Sequence, residues 1–542
     1  MARIRGSIVA LAVSWVASRL LLLGTLTGVV PYPDGPSVLN DVKLYAEWSS
    51  LLVTGRFPIG DDMWQYPPGA GIVFAIAALL GSNPVAAFAG IALLCDLATL
   101  AVLAIAGRRR KVGIDAAWAW VIGALLVGPV WLARFDVVPT LAAVVALVLI
   151  ARPVWSGAAA AAGTLLKVWP GIMLLALPRR SLPRGILGFV VMSAAILGGV
   201  MLWSTGGVSF LGEQGARGLQ VESVGALPFM VWNVFGEVPT EFRFGAMEVD
   251  VPITIPLGLA ITLAGFAVLA ALGVLRLLGR LEAIGPADVA LVALLVSIVT
   301  SRVLSPQYSV WVVGVAAVTF LDPASRMRRV VWLLVPSILV TQVIYPYGYG
   351  SFLNGDWWAV SLQVIRVALL VGATILGLWI VLRQALRARH CAAVSASLVQ
   401  QRQPLQRRRM GEEERVAPAR RLQRRLIRHG EAHEQVGVGR RVSREGEGLA
   451  VGAGLERAAH GDGSDRPDER GDQRDRDDER HHPRIARAGR AQSRAHASRE
   501  DQSGGERGRA SGRQSGEERA ERDIALAHMD ELVHHERIDL RG

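Results

Sequence analysis

Ten apolar stretches succeed one another between residues 8 and 382, and they commit that part of the chain to lipid. They lie at 8–30, 84–107, 113–133, 137–151, 183–203, 253–276, 287–303, 306–320, 329–346 and 357–382. About 20 apolar residues cross a hydrocarbon core, and backbone at that depth must satisfy its own hydrogen bonds, as a helix does. The sequence therefore predicts an all-α, polytopic transmembrane helix bundle with about ten full spans. Basic clusters separate the stretches: Arg108-Arg109-Arg110-Lys111, Arg179-Arg180 with Arg184, Arg276 with Arg280, and Arg326 with Arg328 and Arg329. Holding all of them in the cytoplasm places the N-terminus and the C-terminus there as well. The first stretch is too long for the core of a signal peptide, so it reads as an uncleaved first span in the plasma membrane.

Two further apolar segments do not fit as crossings. Residues 67–81 are few and open on Pro67-Pro68, which cannot continue a preceding helix, so this segment is expected at the outer interface. Residues 157–178 begin and end on the cytoplasmic side and are too few to cross twice. A broken pair of half-helices, turning at Lys167-Val168-Trp169-Pro170, is expected there. Irregular backbone at membrane depth is tolerated where it lines a cavity or is buried in protein.

Composition changes near residue 382. Residues 1–382 hold every Trp, Tyr and Phe and no His, whereas residues 383–542 hold all 10 His and no aromatic ring. The first part reads as the transmembrane catalytic domain. The second is a low-complexity, Arg-rich segment without a hydrophobic face, expected to be a disordered tail; GC-rich DNA translated out of frame gives such a composition too. The net charge of +12 therefore describes no single surface, and no nucleic-acid partner is implied. The two cysteines, Cys95 and Cys391, fall in different environments, and no metal-ligand spacing occurs. With His missing from the first part, acid–base chemistry falls to carboxylates, Lys and Tyr.

Asp41 follows the first span at once, in Asn40-Asp41-Val42-Lys43-Leu44-Tyr45-Ala46-Glu47-Trp48. It reads either as an N-cap of a surface helix or as a general base at the lipid–water boundary. Arg134-Phe135-Asp136 lies between two spans with no spacer; it reads as a structural ion pair or as an anion contact in which Asp136 orients Arg134. Lys167 is an isolated cation inside an apolar stretch, with a phosphate as its expected partner. Arg217 and Glu222 stand in a large outer loop, as a solvated pair or as sugar and phosphate ligands. Arg302, Gln307 and Tyr308 flank the break at Pro306 and suit a phosphate or polyol. Trp357-Trp358 and the Tyr345, Tyr347 and Tyr349 cluster read as an interfacial aromatic belt.

In sequence order these residues resemble a known family. Asp41 with Tyr45, Gly55 and Tyr66-Pro67-Pro68 looks like the first outer loop of the GT-C superfamily of integral-membrane glycosyltransferases. Arg134-Phe135-Asp136-Val137-Val138-Pro139, Gly163-Thr164-Leu165-Leu166-Lys167-Val168-Trp169-Pro170 and Leu304-Ser305-Pro306-Gln307-Tyr308 are similar to glycosyltransferase family 87. The likeness covers residues 7–382. It implies a hexosyltransferase that moves a sugar, commonly mannose, from a polyprenyl-phosphate donor to a lipid or glycan acceptor on the outer face. Asp41 is then the catalytic base, and Lys167, Arg302, Arg217, Arg134, Gln307 and Tyr308 bind donor phosphate or sugar. Asp136, Tyr45, Tyr66 and Glu222 support them. Because a single Asp follows Asn40 in place of a paired acidic motif, the resemblance does not carry over a divalent metal. A transporter or flippase for a lipid-linked or polar solute is the competing class, since carriers bind substrate on broken helices.

Overall fold

The computed structural model describes residues 8–33, 38–81, 83–204 and 217–434, with few side chains given from residue 388 onward. Residues 435–542 lie outside the described residues, and with them most of the expected tail. The fold is helical. In chain order it comprises α1 (Ile8–Leu26), α2 (Asn40–Leu52), α3 (Pro68–Leu79), α4 (Pro84–Arg109), α5 (Asp115–Val127), α6 (Val137–Val148), α7 (Pro153–Leu166), α8 (Leu182–Trp203), α9 (Leu227–Trp232), α10 (Thr254–Leu277), α11 (Pro286–Val299), α12 (Tyr308–Thr319), α13 (Arg328–Gln342), α14 (Tyr349–Leu353) and α15 (Trp357–Glu434). The last helix runs on past residue 383, where the composition suggests an irregular tail. Arg, Gln, Ala and Leu are strong helix formers, and they dominate there.

Six helical segments are long and apolar enough to cross a membrane: α1, α4, α8, α10, α13 with the π turn to Tyr347, and the part of α15 up to Arg387. They mark a membrane protein. The other four expected spans form shorter helices. Of these, α5, α6, α11 and α12 have 13, 12, 14 and 12 residues, roughly 18–21 Å at 1.5 Å per residue, against a hydrocarbon core of about 30 Å. Each pair is cut short by its own turn. Gly128, at φ 76°, and Pro129 convert the end of α5 into a 3-10 turn, and Pro306 interrupts the chain ahead of α12. Nearly every residue of α11 and α12 is buried, whereas α8 and α10 leave most of their apolar surface open.

The broken pair forms as expected. Helix α7 ends at Leu166, Lys167 is extended (φ −159°, ψ 131°), and a 3-10 segment continues from Trp169 to Ala176. Helix α3 starts on Pro68 and has 12 residues, too few to cross. The loop after α8 is more ordered than the all-α expectation. Strands β1 (Thr240–Arg243) and β2 (Ala246–Val249) pair antiparallel, Thr240 opposite Val249 and Arg243 opposite Ala246. Their two-residue tip, Phe244 and Gly245, takes positive φ at both positions, the turn that suits the twist of a hairpin. Residues 219–221 lie along β2, with Val221 N donating to Met247 O and Val249 N donating to Leu219 O.

Candidate functional site

Three turns converge: Arg134-Phe135-Asp136 between α5 and α6, Lys167 after α7, and Arg302 to Tyr308 between α11 and α12. Helix α2 and the Tyr66 loop complete the cluster. Asp41 stands in the first turn of α2, where Leu39 holds the N-cap position and no side chain caps. Its carboxylate turns to Arg134 instead, Nε lying 2.9 Å from Oδ2 at an angle outside hydrogen-bond geometry. Asp41 keeps 40% side-chain exposure while Arg134 keeps 5%. Arg134 Nη1 donates to Val38 O at 2.5 Å and to Ala133 O at 2.9 Å, and Nη2 donates to the Tyr345 hydroxyl at 2.9 Å. Burial works against the guanidinium charge, but Asp41 together with the Tyr345, Tyr45 and Tyr66 hydroxyls outweighs it, so Arg134 holds its proton more firmly than usual.

Asp136 does not orient Arg134. The two side chains reach different elements. Asp136 Oδ1 accepts from Lys167 Nζ at 2.7 Å and from Trp311 Nε1, while Oδ2 has no hydrogen-bond partner among the described residues. Lys167 Nζ also lies over the rings of Trp311, Tyr308 and Tyr66, at 5.0, 5.7 and 5.8 Å from their centroids. One carboxylate and three ring faces balance its charge.

Tyr45 and Tyr66 share a hydrogen bond of 2.8 Å between hydroxyls. Burial, followed by the charges of Asp41 and Asp136, pushes the Tyr66 phenol well above its ordinary range, and burial does the same for Tyr45. Both therefore serve as hydrogen-bonding groups and not as bases. Helix α3 fits tightly below them. A Cβ on Gly69 would sit 2.6 Å from the Leu165 carbonyl oxygen, two residues before Lys167. Gly69→Ala must push the α7 end away, costing about 1–3 kcal/mol. We expect a lower melting temperature and reduced activity in the purified variant; unchanged values of both would show that the turn adapts freely.

Arg217 Nε pairs with Glu248 Oε1 at 3.1 Å, and Arg302 Nη1 donates to Arg217 O at 2.7 Å. Arg302 has no carboxylate partner among the described residues, unlike Arg134, Lys167 and Arg217. Gln307 precedes α12 without a side-chain capping bond, and the Tyr308 ring stacks on Trp311 with centroids 3.8 Å apart. Glu222 joins a separate network: its carboxylate accepts from Arg366 Nη1 at 2.9 Å and Gln220 Nε2 at 3.1 Å, and it is 1% exposed. Burial raises its pKa above the carboxylate norm despite Arg366. It ties the loop to α15 and presents no free oxygen face to a ligand. Among the described residues no group of three or more His, Cys, Asp and Glu is placed to hold a metal ion.

Several partners went unread in the sequence. Trp311 is three residues after Tyr308, hence on the same helix face, and that spacing could have found it. Arg366, Arg19 and Asp96 are charged residues inside apolar stretches, the signal that picked out Lys167. Tyr345 was grouped with belt residues, yet only Tyr347 of that trio is strongly exposed.

No curated protein and no solved structure matches the chain. The model of glycosyltransferase family 87 matches residues 64–306. That range takes in Tyr66, Arg134, Asp136, Lys167, Arg217, Glu222 and Arg302; Asp41, Tyr45, Gln307 and Tyr308 fall outside it. With its long apolar helices, the chain is a membrane protein that resembles glycosyltransferase family 87 over residues 64–306.

Proposed function

We propose that the protein transfers a hexosyl group, commonly mannosyl, from a polyprenyl-phosphate donor to a lipid or glycan acceptor at the outer face of the plasma membrane. The observation that carries this reading is Asp41. Its carboxylate is part-exposed, is not used in capping, and stands beside a cluster of cations and aromatic rings. An acceptor hydroxyl that reaches Asp41 gives up its proton to the carboxylate. The acceptor oxygen then bonds to the anomeric carbon from the face opposite the phosphate. The bond from that carbon to the phosphate oxygen breaks, and polyprenyl phosphate leaves with the electron pair. No covalent intermediate is required.

Arg302 is the cation we assign to the leaving phosphate, because the other three already face carboxylates. A guanidinium also suits phosphate geometry. Lys167 contributes from beside Tyr308, with Asp136 holding it in place. The reading is tested by incubating membranes containing the protein with a radiolabelled polyprenyl-phosphate sugar and resolving the lipid products. A labelled glycolipid absent from control membranes supports it; none across the common hexosyl donors counts against it. Arg302→Met should raise the donor KM about 10- to 100-fold, the loss of one charge-assisted contact of roughly 1.5–3 kcal/mol. An unchanged donor KM would move the phosphate elsewhere.

A further inference from the structure

The Asp41 carboxylate is not anchored by its own helix. Helix α2 offers it no capping bond, and the contact it has is with a guanidinium that comes from a turn 93 residues away. That guanidinium is itself immobilised. Two backbone carbonyls, Val38 O and Ala133 O, take Nη1, and the Tyr345 hydroxyl takes Nη2. Val38 lies three residues before Asp41, so Arg134 grips both the carboxylate and the approach to its helix. The Tyr345 ring also faces Arg134, with the guanidinium carbon 5.9 Å from the centroid. Tyr345 reaches this place through an irregular backbone: the chain leaves helical geometry there (φ −123°, ψ 124°), within the π turn Val343–Tyr347.

We infer that Arg134 and Tyr345 are positioning residues for the base: Tyr345 holds Arg134, and Arg134 holds Asp41 at one oxygen. The sequence suggested donor binding for Arg134, but a side chain 5% exposed, with three acceptors and a carboxylate, has little left for a phosphate. The pair occupies Oδ2 of Asp41; among the described residues Oδ1 has no partner, and the side chain is open to solvent. That oxygen is the one an acceptor hydroxyl meets. Tyr345 lies beyond the residues that match the family model. Its role was hidden among aromatic residues assigned to the interface.

This inference rests on Asp41 as the base, and the experiment separates the two. Transfer by Tyr345→Phe, Arg134→Lys, Arg134→Gln and Asp41→Asn is measured as kcat and donor KM across pH, on purified, folded protein. Tyr345→Phe keeps the ring and removes the hydroxyl; kcat should fall on the order of tenfold, one hydrogen bond to a charged group, with donor KM unchanged. Arg134→Gln should lose about 100-fold in kcat, the effect of a displaced catalytic group. Arg134→Lys should restore part of kcat. A raised donor KM with unaltered kcat would make Arg134 a phosphate ligand and overturn the inference. Wild-type behaviour of Tyr345→Phe and Arg134→Gln beside an inactive Asp41→Asn would do so too, leaving the base intact. Full activity of Asp41→Asn would remove the base reading itself.

Discussion

Asp41→Asn should lower sugar transfer by about 100- to 10,000-fold, the usual worth of a positioned general base, while the protein accumulates in membranes at its normal level. The substitution is nearly isosteric. Its amide oxygen can still face Arg134 Nε, so the ion pair of 2.9 Å is replaced by a neutral contact in a part-exposed place, and little stability is at risk. What goes is the capacity to accept a proton. The buried neighbours cannot take it over: burial holds the Tyr45 and Tyr66 phenols in their protonated forms, and Asp136 is fully buried against Lys167 and Trp311. The measurement is labelled product formed per amount of folded protein. Product at the wild-type rate would end the assignment.

Arg19→Met should have the largest effect on stability. Arg19 and Asp96 join α1 to α4 through two bonds, Nη2 to Oδ1 at 2.6 Å and Nε to Oδ2 at 2.8 Å, and neither side chain is more than 3% exposed. Trp15 and Trp131 each donate an indole N–H to the same carboxylate, and Trp120 donates to the Asp96 backbone oxygen. Removing the cation leaves a carboxylate in an apolar interior with indole donors but no counter-charge. Breaking such a pair costs about 3–5 kcal/mol. The same change at Arg243, whose partner Glu241 is half-exposed like itself, should cost under about 1 kcal/mol. Thermal unfolding in detergent compares them directly. Replacing Arg19 and Asp96 together by Met and Leu should recover much of the loss, since apolar groups can substitute for a buried pair. An Arg19→Met protein as stable as wild type would mean that the pair carries no structural weight.

The fold was legible wherever one local rule decides. Each of the ten apolar runs holds a helix, six of them long enough to cross a membrane, Pro67-Pro68 set the start of α3, and the lone Lys167 with Pro170 marked the break after α7. Helix length was not legible, because hydropathy counts apolar residues and does not see that Gly128-Pro129 ends α5 early or that residues 300–307 form a turn between α11 and α12. The β1–β2 hairpin was missed since Phe244-Gly245 is not a common turn pair and the strands have 4 residues each. At the candidate site the residue types were readable, but the pairing was not. Arg134 and Asp136 are near neighbours in sequence, yet their partners are Asp41 and Lys167, a choice made by tertiary packing. Arg302 gained importance only once the other cations were seen to be matched.

The shortness of α5, α6, α11 and α12 bears on how the protein is made. A segment of 12 to 14 residues lacks the apolar length to enter a bilayer as an independent span, whereas the six long segments can do so one at a time. The short hairpins must then find their places against helices already inserted, their turn backbones shielded by protein before they can stay at depth. The Arg134 and Arg302 turns belong to these late arrivals. Two of the turns that converge beside Asp41 are thus the last parts of the bundle to come into being.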